Sequence, residues 1–181
     1  AGAELAVAAG QRLVLGIAQV AVRLPDGHQR SRRRHRAAGA GPHQQLLQAL
    51  AAKPFIAFQP RGMPRQVQPQ LHWGKPVVLL INERSFSDAE VFPYGFRELK
   101  LGKIVGVPTA GGVIGTNDIT LSDGSRFRVP RVGWYGLNGE NLERLGVKPD
   151  LLVPETSEDR RLGRDPQLQK AIETVLADLA A

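Results

Sequence analysis

The chain has 181 residues, 42% of them hydrophobic, enough for one sizeable core and too few for a second full domain. The absence of cysteine excludes a disulfide framework, a thiolate nucleophile and a cysteine-held metal, and no run approaches the roughly 18 consecutive apolar residues of a spanning helix. The net charge of +7 comes mostly from Arg23, Arg30, Arg32, Arg33, Arg34 and Arg36 against Asp26, so the basic character belongs to one short segment and is not spread over the fold as a nucleic-acid surface.

The apolar opening is interrupted by Gly10, Gln11, Arg12 and Gln19 and has no basic flank. It reads as a cut or processed end and not as a signal peptide, with a cytoplasmic compartment favoured. Within it, residues 13–17 are the best candidate strand. From Leu24 to Gln45 turn residues, the arginine cluster and Gly39-Ala40-Gly41-Pro42 show no periodicity, which predicts a basic, partly disordered loop. The chain thus divides into a basic segment over residues 1–45 and an ordered part over 46–181. Leu46, Leu47 and Leu50 lie at helical spacing in a helix predicted over residues 44–53. Phe55-Ile56-Ala57-Phe58 then reads as a strand, and a Pro- and Gln-rich linker runs to Gly74.

Residues 76–81 form a continuous apolar run, the pattern of a parallel strand buried on both faces. Ser87-Asp88-Ala89-Glu90 follows with capping-box spacing, and Phe92, Phe96 and Leu99 make the apolar stripe of a helix in which Pro93 predicts a kink or a tightened first turn. Residues 104–107 close a strand, helix, strand unit. Asp123-Gly124 joins Ile119-Thr120-Leu121 to Phe127-Arg128-Val129 as a β-hairpin. Asp165 caps a last helix with Pro166 at its first position and Leu168, Ile172, Val175, Leu176 and Leu179 as its apolar face.

A serine where a buried strand gives way to a helix sits among unpaired N–H groups at the positive end of the helix dipole, a setting that stabilises an oxyanion. Taken alone, the spacing is that of an ordinary helix cap. Read with its neighbours it is more specific. Asn82-Glu83, Ser87-Asp88-Ala89-Glu90, Val91-Phe92-Pro93-Tyr94, Gly111-Gly112-Val113-Ile114-Gly115 and the segment from Glu143 to Asp150 occur in an order that resembles the tail-specific, tricorn-type serine peptidases over about residues 75–178.

That resemblance implies an α/β fold with a layered core of the ClpP and crotonase type, incomplete on its N-terminal side, and a chain that is part of a larger protease. It implies hydrolysis of peptide bonds through an acyl-enzyme on Ser87, with the Asp88 backbone N–H as an oxyanion-hole donor and Glu143 as the acidic member of a Ser, His, Ser, Glu tetrad. The partners implied are a peptide or unfolded polypeptide, the missing N-terminal region and other copies of the chain; no metal, organic cofactor or membrane is implied. The Ser and Lys branch of the family places its lysine where this chain has Gly112, so the base implied is a histidine.

The base is not matched: His28 and His35 fall in the arginine run, His43 in a Gly-Pro loop and His72 in the linker, and each reads as a solvated loop histidine. The double-glycine turn that carries the family's other oxyanion donor has only Gly39 and Gly41 as remnants. The composition of residues 28–43 points to a shifted reading frame, so translating the other two frames should restore that turn. Two other readings are a non-catalytic binding or scaffold relic of the same fold and nucleic-acid binding through the arginine cluster, which rests on charge alone.

Overall fold

Val77–Ile81 is buried at every position. Its alternation sends Val77, Leu79 and Ile81 into one apolar cluster and Val78 and Leu80 into another. A strand with two buried faces needs cover on both sides, and the computed structural model, which describes residues 13–16, 19–23 and 42–180, supplies helices on each. In chain order the elements are β1 (Leu13–Gly16), β2 (Gln19–Arg23), α1 (Pro42–Ala51), β3 (Ile56–Phe58), β4 (Gln66–Gln68), β5 (Val77–Ile81), α2 (Asp88–Glu98), β6 (Lys103–Gly106), β7 (Gly115–Thr120), β8 (Arg126–Val132), β9 (Leu151–Leu152), α3 (Ser157–Arg161) and α4 (Pro166–Ala180).

The main sheet has the order β1-β2-β5-β6-β9. β1 and β2 are antiparallel, and β2, β5, β6 and β9 run parallel. On one face Leu47 of α1 and Phe92 and Phe96 of α2 pack on Val77, Leu79, Ile81 and Ile104. On the other, Ala171 and Val175 of α4 pack on Val78, Leu80 and Val105. The expected α/β layered core and its central parallel strand are both observed. The basic loop expected over residues 24–41 lies outside the described residues.

Several boundaries differ from the sequence reading, each for a local reason. α1 starts at Pro42 and not at Gln44, because a proline is well suited to the first helical position, where its missing N–H is not needed. His43 therefore lies in a helix and not in a loop. The linker after Phe58 contains β4, which pairs antiparallel with β3. The Pro93 expectation holds in its second form: α2 is continuous through Pro93, and its first turn is tightened by Glu90 N–H on the Ser87 carbonyl at 2.8 Å. Asp165 caps α4 as expected, its Oδ1 accepting from Leu168 N–H at 2.9 Å. Leu168 and Val175 of the expected apolar face pack on the sheet, but the rest of the buried stripe is Gln167, Ala171 and Thr174, while Leu176 is 51% exposed. The close approach of α4 to the sheet favours small residues at the contact, which a count of large apolar residues misplaces.

The β7–β8 hairpin forms as expected, turning through Gly124 at φ 82°. A capping box is present at Thr156 in front of the unforeseen α3: Thr156 Oγ1 accepts from Asp159 N–H and the Asp159 carboxylate accepts from Thr156 N–H. The Thr156 hydroxyl first, then its N–H, and further the Arg164 guanidinium hold the Asp159 carboxyl below its ordinary value. A lowered folded value means that the cap is complete above the ordinary aspartate range and is lost as pH falls through the lowered value. The amide resonances of residues 156–160 should therefore titrate together, with an apparent pKa below that of a free aspartate; a midpoint at or above the free value would contradict the cap.

Candidate active site

β5 delivers the chain to the end of the sheet at Ile81, and short polar side chains fold the next residues into a turn. Asn82 Oδ1 accepts from Arg84 N–H at 3.0 Å, the Ser85 hydroxyl accepts from Asn82 N–H at 3.2 Å, and Asn82 and Ser85 are both buried. The turn leads to Ser87, whose φ of 57° and ψ of −123° are those of the first central residue of a type II′ turn, a position dominated by glycine. Ala89 N–H closes that turn on the Phe86 carbonyl at 3.1 Å. Holding a residue with a Cβ there costs of order 1–3 kcal/mol.

The same dihedrals overturn the capping box expected from Ser87 and Glu90. An N-cap side chain reaches back to the helix only from extended backbone, and Ser87 makes no side-chain cap bond. Its side chain is exposed and its hydroxyl is uncommitted among the described residues. Asp88 opens α2, and among the described residues its N–H meets no acceptor. A hydroxyl and a free helix-terminal N–H thus stand one residue apart, as attack and charge stabilisation at one carbonyl require.

The segment after β6 lies against this turn. Ala110 N–H donates to the Ser85 carbonyl at 2.9 Å and Ser87 N–H donates to the Gly112 carbonyl at 2.8 Å. Four successive amides of the segment then end on two carboxylates. Gly111 and Gly112 N–H donate to Glu90 Oε1 and Oε2, each at 2.6 Å. Val113 and Ile114 N–H donate to Glu143 Oε2 at 2.8 and 3.0 Å. Ser87 and Glu143 therefore meet through one loop, which joins the carbonyl held by the serine N–H to the amides held by the glutamate.

His43 stands differently from the loop histidine read from the sequence. It lies in the first turn of α1 with its side chain 11% exposed, Nδ1 bonded to Asp88 Oδ1 and the ring edge-on to Trp134 at 5.9 Å between centroids. This puts an imidazole against the residue that follows the serine, with Nε2 without a partner among the described residues. His72 does lie in a loop, its Nδ1 on the Pro69 carbonyl at 2.9 Å. His28, His35, Gly39 and Gly41 lie outside the described residues. Two residues of this arrangement, Glu90 and His43, carry another reading in the sequence. The Ser-x-x-Glu spacing gives Glu90 the look of a cap residue, and the signal that takes His43 out of the loop is Pro42 at the first position of α1.

The profile of Peptidase family S41 matches residues 13–153. The chain belongs to this family. Peptidase family S41 relatives include the Tricorn protease of Thermoplasma volcanium, 35% identical over 138 residues, and Tricorn protease homolog 1 of Streptomyces coelicolor, 38% identical over 142 residues. These alignments cover 75% and 77% of this chain and 13% of each relative, so the chain spans about an eighth of their length. The crystal structure of the tricorn protease superposes with a TM-score of 0.71 at 27% identity, covering 80% of this chain and 14% of that one. Mature CPAF, at 25% identity and a TM-score of 0.55, matches 62% of this chain. The match to the family profile begins at the first residue of β1, so it takes in β1 and β2 together with the serine turn. Among the described residues no helix is long and apolar enough to cross a membrane.

Proposed function

We propose that this S41 chain carries the nucleophile side of a serine peptidase site. Ser87 Oγ attacks the substrate carbonyl carbon, the Asp88 N–H stabilises the oxyanion that forms, and the C–N bond breaks as the leaving amine takes up the serine proton. Water then hydrolyses the ester and frees Ser87. The observation that supports this reading most is the glycine-like conformation of Ser87 at the β5–α2 turn, because strain of that kind is kept where it aims a reactive group. Glu143 is the acidic group of the site, holding the loop beside the serine through Oε2. The substrate is a polypeptide and the assembled enzyme includes other segments, as the word protease in the tricorn relatives' names and their greater length suggest.

In this reading His43, bonded to the residue that follows the serine, is the imidazole that accepts the serine proton. Asp88 fixes its tautomer by taking Nδ1–H, which leaves Nε2 as the basic nitrogen. The test is covalent: a fluorophosphonate probe phosphonylates an activated serine as fluoride leaves. Labelling confined to Ser87 is the expected result, and His43→Gln should slow it by about 100-fold or more. Equal rates in the two proteins would assign the base to another segment. No labelling of Ser87 at all would make the chain a binding or scaffold member of its family.

A further inference from the structure

Glu90, in the first turn of α2, is the most deeply buried carboxylate among the described residues, at 1% exposure. A carboxylate in such surroundings is tolerated only where its oxygens are fully used. Here the use is specific. Oε1 accepts from the Thr109 hydroxyl and from Gly111 N–H, and Oε2 from Gly112 N–H, all at 2.6 Å. The Thr109 hydroxyl in turn accepts from Val147 N–H at 2.7 Å. All three donors to Glu90 belong to the loop whose Gly112 carbonyl receives the Ser87 N–H.

We propose that Glu90 is a positioning residue that locks loop 109–114 against the nucleophile turn, and so sets the Ser87 N–H, Gly112 and Glu143 in one frame. The proposal rests on the serine-peptidase reading for its catalytic consequence but not for its structural one. Glu90 lies in the first turn of α2 and Ser87 immediately precedes that turn, so a loop tied to the Glu90 carboxylate moves with the serine and not independently of it. Four consecutive loop amides satisfied by two carboxylates leave the loop no spare donor with which to adopt another path.

The informative substitution is Glu90→Gln, which keeps the shape but turns an N–H₂ toward at least one N–H donor. Glu90→Ala is less decisive, because a cavity of about 280 Å³ lined by Glu90, Tyr94, Arg97 and Val113 would let water reach the orphaned amides. Val175→Ala serves as the control, a truncation on the opposite face of the sheet. Two readouts are taken on the full chain: amide hydrogen exchange over residues 109–114, and the fluorophosphonate labelling rate of Ser87. Glu90→Gln should raise exchange at Gly111 and Gly112 by roughly 10-fold or more and slow labelling by at least as much, with Val175→Ala changing neither more than about threefold.

Unchanged exchange in Glu90→Gln overturns the proposal, as does slowed labelling without faster exchange. Faster exchange in a chain whose wild type never labels upholds the lock and rejects the peptidase reading. Should Glu90→Gln fail to fold, Thr109→Val removes one of the three donors and Thr109→Ser restores it. Loosening and slowing in the first, with recovery in the second, support the lock, and equal behaviour of the two overturns it.

Discussion

Ser87→Ala abolishes fluorophosphonate labelling and lowers any peptide hydrolysis by roughly 10⁴-fold or more, since the members of such a site act as a unit around the nucleophile. What makes the prediction specific to this structure is its companion in stability. Alanine at φ 57° and ψ −123° has the same Cβ and the same strain as serine, and Ser87 makes no cap bond that could be lost. Ser87→Ala should therefore unfold within about 0.5 kcal/mol of the wild type. Ser87→Gly removes the Cβ and should be more stable by about 1 kcal/mol, which for a chain of this size is a rise of roughly 2–4 °C in melting temperature. Activity lost in both variants, with stability gained only in the glycine variant, is the mark of strain kept for function. A serine whose removal destabilised the chain would instead be a structural cap.

Gly106→Ala should be the most damaging single substitution in the described core. Gly106 ends β6 at φ 137°, and a Cβ added there would lie 1.9 Å from the Ile81 carbonyl oxygen, inside the parallel pairing of β5 with β6. Backbone cannot step aside as a flexible side chain can, so strain and clash add to roughly 3–5 kcal/mol. Gly124→Ala separates the two terms: its φ is 82°, but a Cβ there meets nothing within 4 Å, so only the conformational cost of about 1 kcal/mol applies. Chemical denaturation of the two variants measures the difference. Equal losses would mean that β5 and β6 do not approach as closely as described. Because β5 leads into the serine turn and β6 into the loop that faces it, the Gly106 variant should also lose labelling wherever it remains folded.

The parts of the fold legible in the sequence are those written over short distances. The buried run at Val77–Ile81, the strand, helix, strand unit around Ser87, the Asp123-Gly124 hairpin and the Asp165-Pro166 helix start each depend on residues within one or two turns of each other. Each is found where it was read. The α4 stripe is legible only in part within the same range, because periodicity shows that a helix has an apolar side but not which neighbouring row is small enough to meet the sheet. Ala171 and Val175 take that contact with Leu168 packed beside them, leaving Leu176 outside.

The sequence by itself determined the layered α/β class, the central strand buried on both faces and membership of a serine-peptidase family, since hydrophobic patterning, turn residues and ordered motifs are properties of contiguous chain. The tertiary structure alone decided how the site is wired. His43 meets Asp88 across 45 residues, Glu143 holds Val113 across 30, and Glu90 holds Gly111 across 21. At such separations the partner of a polar side chain is chosen by which strands pair and which helix covers them. Once burial had removed water, the Glu90 carboxylate had to find its donors in the one loop that the sheet brought beneath it. A Ser-x-x-Glu spacing permits either a cap or a lock, and only the positive φ of Ser87, imposed by the turn between β5 and α2, excluded the cap.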